Sequence, residues 1–367
     1  NAELVATLEN RPQTISATLD FGNENLPFRV QTSFDRSPLG PFFALVPQLS
    51  GIAVEGNGTG QIEFGGNIAQ RDAAGELVYS ASALAGSARF SELSLRLQDT
   101  PIAATGPVVI RFDTREVVFE SARFAGSGSN VTVSGTKAMA ENGINNLAID
   151  GRINLSLLNV IPQIASGDNF FGGFADVSMR LAGPNQTSRL SGTAVLENAS
   201  FATFIGSDRL TFDRLKGAIR FAGNQVQIDQ ATGFLGGGQF TASGGAVLAD
   251  NLQLASFRLD INGTNITVPL PEDFITTGDA KLEISGRRAG SAITTTIAGS
   301  ILARRSVYTQ DIDLSRLVGG RREGSLSSGG GSSSIRAPRF DLTIEGRDAL
   351  IVRNNIADLT ASVSLRL

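Results

Sequence analysis

The chain has 367 residues, 41% of them hydrophobic, with 42 glycines and 22 phenylalanines but no cysteine, histidine or tryptophan. Without thiol or imidazole it lacks the usual zinc, copper and haem ligands, and only carboxylates, lysine, tyrosine and hydroxyls remain for catalysis. The net charge of −4 provides no overall basic field for a nucleic-acid backbone, no motif implies a cofactor, and no stretch approaches the roughly 18 apolar residues of a membrane helix.

Along the chain the dominant signal is alternation of apolar and polar residues, which sends successive side chains of a strand to opposite faces. Pro41 to Leu49 reads as a brief apolar helix, followed by an Asn57-Gly58 turn signal and the strand Gly60-Gln61-Ile62-Glu63-Phe64-Gly65. Ile110-Arg111-Phe112 is a further strand, and Asn142-Gly143 a further turn. Alternation is strongest from Leu147 to Leu157, where Leu147, Ile149, Gly151, Ile153, Leu155 and Leu157 share one parity. It returns in Ala175–Gly183, in Ile219-Arg220-Phe221, in Val226-Gln227-Ile228 and in Phe257–Ile261, with turn signals at Ala222-Gly223-Asn224 and Asn262-Gly263. The cluster Leu235-Gly236-Gly237-Gly238-Gln239-Phe240 reads as a bulge within a strand. Asp279–Gly286 and Leu342-Thr343-Ile344 continue the pattern, and Gly319 to Ser334 is a flexible Gly/Ser loop without the lysine of a phosphate loop. Close turns between alternating segments predict an all-β meander of mainly antiparallel strands.

A long-period repeat overlies this. Val46-Pro47-Gln48-Leu49 is matched by Ile161-Pro162-Gln163-Ile164 at an offset of 115, and more weakly by Leu270-Pro271-Glu272-Asp273. The expectation is three approximate repeats, 41–155, 156–267 and 268–367, within one continuous sheet. Asn1 and the strand-like run ending at Leu367 lead to the expectation that the chain is a segment of a longer one.

Such a sheet must hide its apolar face in a sandwich, a membrane barrel, a closed soluble barrel or a curved groove. With no tryptophan and two tyrosines the aromatic girdles of a membrane barrel are missing. Phenylalanine, which has no polar tip to satisfy, suits a dry interior or acyl chains. The residues expected to face a groove are Leu147, Ile149, Ile153, Leu155, Val177, Met179, Leu181, Ile219, Phe221, Val226, Ile228, Phe257, Leu259, Ile261, Leu282 and Ile284. The competing reading for each is ordinary core packing. Asp311 and Asp313 lie two apart, on one strand face, but no base or third ligand accompanies them, so exposed surface is expected there and no enzyme.

The ordered strand-and-turn pattern of Gly173 to Phe201, Leu210 to Phe240 and Phe340 to Leu367 resembles the TamB and AsmA-like periplasmic proteins, related in architecture to bridge-like lipid transfer proteins. That resemblance implies a β-taco, a long U-shaped sheet with an aliphatic and phenylalanine-lined concave face. It further implies phospholipid passage between inner and outer membranes, an inner-membrane anchor, and a TamA-type outer-membrane barrel protein as partner. The alternative it carries is a scaffold that aids barrel-protein insertion. At about 4.8 Å per strand, roughly 25 strands would extend on the order of 120 Å.

Overall fold

The computed structural model describes residues 2–8, 11–40, 54–71, 75–97, 99–160, 169–205, 208–250, 252–269, 274–290, 292–308, 339–356 and 358–366. The fold is all-β, one long mixed sheet of 20 strands. They are β1 (Ala2–Leu8), β2 (Arg11–Leu19), β3 (Pro27–Pro38), β4 (Val54–Arg71), β5 (Leu77–Leu97), β6 (Thr100–Ala104), β7 (Val108–Asp113), β8 (Glu116–Gly126), β9 (Ser129–Ala138) and β10 (Ile144–Asn154). Then follow β11 (Phe170–Pro184), β12 (Arg189–Ile205), β13 (Asp208–Gly223), β14 (Gln225–Leu235), β15 (Gly238–Leu248), β16 (Leu254–Val268), β17 (Phe274–Ala289), β18 (Ala292–Tyr308), β19 (Arg339–Arg353) and β20 (Asp358–Arg366).

Apart from β6 and β7, each strand pairs with its sequence neighbours, as a meander requires. β6 and β7 both lie antiparallel against β5 and are one strand row interrupted at Thr105-Gly106-Pro107. The sheet is therefore shorter than the sequence estimate of roughly 25 strands. One pairing breaks the antiparallel rule: β18 and β19 run parallel, with Thr296 opposite Arg339 and Tyr308 opposite Val352. Parallel neighbours need a crossover rather than a tight turn, and this is where the glycine- and serine-rich stretch falls in the sequence; residues 319–334 themselves, like Asp311 and Asp313, lie outside the described residues.

Two turn signals behave differently from expectation. Asn262-Gly263 and Asn57-Gly58 are strand interior, because the strands around them are longer than the alternation alone indicates. Conversely, Gly236 and Gly237, at φ +55° and +90°, form the tight turn between β14 and β15 instead of a bulge. Glycine at both positions admits the left-handed backbone that such two-residue hairpins need.

The connections alternate between two rims. Rim A carries the turns β9–β10, β11–β12, β13–β14, β15–β16 and β17–β18, and rim B carries β10–β11, β12–β13, β14–β15 and β16–β17. The three proline-containing segments all belong to rim B connections, after β3, β10 and β16. Pro41 to Leu49 and the other two segments lie outside the described residues, apart from the 3-10 turn Leu155–Val160 and Pro269.

Across the strands runs a line of β-bulges. Register shifts occur at Leu196/Ala199, Asp213/Lys216, Ile228/Ala231, Gly263/Ile266, Leu302/Ser306 and Gly346/Leu350. Four of these strands carry a non-glycine residue in the left-handed region there or close by: Asn198, Arg214, Asn265 and Asp348, at φ +47° to +55°. Arg36 does the same in β3. A bulge takes an N–H out of the ladder, and in three cases a side chain on the next strand accepts it. Arg36 N donates to Thr59 Oγ1 at 3.1 Å, Asn265 N to Asp279 Oδ1 at 2.9 Å, and Asp348 N to Ser362 Oγ at 3.1 Å. Bulges bend a strand and raise its local twist.

Glycine completes the geometry. Gly192, at φ +125°, faces both Met179 and Phe221, and a Cβ there would sit 2.0 Å from the Ser178 carbonyl oxygen. Gly244 and Gly299 repeat this between Ile228 and Leu259 and between Leu282 and Leu342. Large side chains thus spread over a glycine on the neighbouring strand.

Two outcomes follow. Gly192→Ala should lower unfolding stability by about 2 kcal/mol or more, since backbone must move, whereas Ala83→Gly, at an exposed residue with φ +51°, should leave it unchanged or raise it by up to about 1 kcal/mol in urea titrations. The side-chain hydrogen bond from Arg304 and the Asn265 N–H hold the Asp279 carboxyl below its ordinary pKa. A lowered carboxylate pKa stabilises the fold above the normal carboxylate range and loses that contribution as pH falls through it. Asp279→Asn, which keeps an acceptor, should therefore flatten the acid limb of a stability–pH curve measured between about pH 5 and pH 2.

Candidate functional site

The apolar face is organised in rows running across the strands. In one row Ile149 faces Met179, then Gly192, Phe221, Val226, Ala246 and Phe257 in turn. The next holds Val177, Ala194, Ile219, Ile228, Gly244, Leu259, Ile284, Ile297 and Phe340. A third contains Ile153, Ala175, Leu196, Gly217, Ala231, Ala242, Ile261, Leu282, Gly299 and Leu342. Nearest rim A, Leu147 faces Leu181 and Leu181 faces Leu190. The residues singled out in the sequence thus share one face, except that Leu155 belongs to the 3-10 turn and reaches the same apolar cluster from there. No charged side chain interrupts these rows.

Burial on this face is uneven. Toward rim B, Phe240, Ile266, Ala280, Ile301, Ile344 and Ala349 are buried. Toward rim A, Leu147, Ile149, Met179, Leu181, Phe221, Val226, Ile228, Phe257, Leu259 and Ile284 are only half-buried. Val177 and Ile261, in the middle rows, are buried. Sequence reasoning missed the buried rim B residues Ile266 and Ile301 and the aromatic run Phe171–Phe201–Phe212–Phe240, whose successive ring centroids are 5.2, 6.0 and 5.6 Å apart. At Ile266 the shift after Gly263 changes parity within the strand, so strict alternation loses it.

Polar groups on and beside the rims are structural. At rim A, buried Asn145 accepts from Ala138 N at 2.7 Å and donates to Ser188 Oγ at 2.6 Å, tying β9, β10 and the β11–β12 turn together. Lys137 donates to Ala138 O and Asn185 Oδ1, and desolvation lowers its pKa. Among the described residues no three His, Cys, Asp or Glu side chains gather to hold a metal, and no helix is long and apolar enough to cross a membrane.

Neither family models, curated proteins nor solved structures match the chain.

The chain has no cysteine, so a single introduced thiol reports its own site. Cysteine at Met179 or Leu259 should react with an apolar maleimide at least about tenfold faster than cysteine at Ile344, 1% exposed, or Ile301, 3% exposed. Equal rates at all four would mean that the two halves do not differ in solution.

Proposed function

We propose that the chain is a segment of a lipid-conducting sheet, a groove whose half-buried apolar rows shield phospholipid acyl chains while head groups stay in water beside rim A. The carrying observation is the set of uncharged apolar rows from β10 to β19, left partly open on the rim A side. Nine strand spacings of about 4.8 Å make such a surface about 43 Å long. Burial is worth about 0.8 kcal/mol per CH₂, so acyl tails gain by lying on it. Near-equivalent rows favour sliding over capture in one pocket, and no covalent step is needed. Placement in the periplasm between inner and outer membranes, an inner-membrane anchor and a TamA-type partner belong to this proposal and rest on the resemblance to TamB-like proteins. So does the division into three repeats, with which six strand rows between successive proline segments agree.

A second reading, a scaffold that adds strands to client barrel proteins, is favoured by β1 and β20, each paired on one side only among the described residues. The two readings separate by mutation. Phe221→Glu with Ile228→Glu should reduce phospholipid co-purified from a cell envelope, measured by mass spectrometry, at least about tenfold while circular dichroism stays unchanged. Prolines introduced on the free side of β20 should leave lipid content alone. Unchanged lipid in the double-glutamate variant, or no lipid on the unmodified chain, would overturn the conduit reading.

A further inference from the structure

The opposite, polar face is sorted by charge. In one row between β11 and β19, Arg220 is followed across the strands by Gln227, Gly245, Arg258, Ser285, Thr296 and Arg339. The adjacent row, nearer rim A, runs from Arg180 through Ser191, Ala222, Gln225, Val247 and Ser256 to Arg287 and Thr294. Neither row contains a carboxylate. The acids stand one row further toward rim B, where Asp176, Asp229, Asp260, Glu283 and Asp341 fall. Arg220 pairs with Asp229, and Arg258 with Glu283 at 2.8 Å. Arg180, Arg287 and Arg339 have no carboxylate partner among the described residues.

The middle of the basic stripe is hollow. A cavity of about 900 Å³ takes in Arg220, Arg258 and Arg287 together with Gln227, Ser285 and Thr296. Its members fill both basic rows from β13 to β18, so the hollow opens on the polar face, and Gly245 leaves the space beside Arg258 empty of side chain. The depression is open to solvent, with Ala222, Ala246 and Val247 among its lining. Phe221 and Phe257 beside it belong to the opposite face, so no ring on the stripe can stack a base.

We propose that this stripe binds a linear acidic polysaccharide lying along the sheet, across the strands. Three arginines with unused donors call for carboxylates, which guanidinium groups take in bidentate fashion. Amide and hydroxyl side chains between them match sugar hydroxyls. From Arg180 on β11 to Arg339 on β19 the stripe covers eight strand spacings, about 38 Å at about 4.8 Å each. With Arg220 and Arg258, whose exposed ion pairs can exchange for a ligand's carboxylates, the arginines stand one to three strands apart along this length. The site is independent of whether the other face carries lipid.

Calorimetry with octagalacturonic acid tests this. Binding is expected at low salt, weakening steeply as salt rises, with no binding of the neutral maltooctaose. Arg258→Ser with Arg287→Ser should weaken it at least about tenfold, and Arg96→Ser, at an exposed arginine on β5, should leave it unchanged. Absence of binding, undiminished binding by the double variant, or equal or tighter binding of a thymidine oligonucleotide would each overturn the proposal.

Discussion

Everything in this molecule depends on how a single sheet layer disposes of one apolar face without a second sheet to cover it. A flat meander would leave its isoleucines, leucines and phenylalanines in water, each forfeiting about 1.5–3 kcal/mol relative to full burial. The chain meets this with bulges in several strands, which bend them locally, and with inward glycines that let neighbouring side chains lie flat over the backbone. The rim B half is buried. The rim A half stays half-covered.

The polar face obeys a different constraint. Its ion pairs, such as Arg152–Glu197 at 2.6 Å and Arg304–Asp279 at 2.7 Å, are exposed, and each contributes at most about 1 kcal/mol. They define register more than they stabilise: acids and arginines in adjacent rows favour the observed diagonal pairs, and a slip would put like charges together. The same sorting separates sign along the sheet. A chain with net charge −4 thereby carries a local basic stripe, which net charge alone conceals.

Much of this was legible in the residues. Alternation identified the face of Leu147, Ile149, Ile153, Phe221, Ile228 and Leu259 because strand side chains repeat every second residue. It failed where the backbone leaves that period. Leu155 passes into a 3-10 turn, Asn262-Gly263 continues a strand, and Gly236-Gly237 turns one. The left-handed bulge residues Arg36 and Arg214 have no sequence signature, since arginine is not a residue that favours positive φ. The parallel pairing of β18 with β19 is equally invisible, because a glycine- and serine-rich stretch is compatible with either strand direction. Arg287 could be assigned to the polar parity of its strand, but its place beside Arg258 needed the register of β16 with β17.

An experimental cross-section at side-chain resolution, by electron cryomicroscopy of the chain isolated from membranes under mild conditions, tests the central claim most directly. The account predicts a single sheet layer, bent at the bulge line, with Met179, Phe221, Val226 and Leu259 facing open space or elongated lipid density. Protein packed against those four residues so as to exclude solvent and lipid would contradict it.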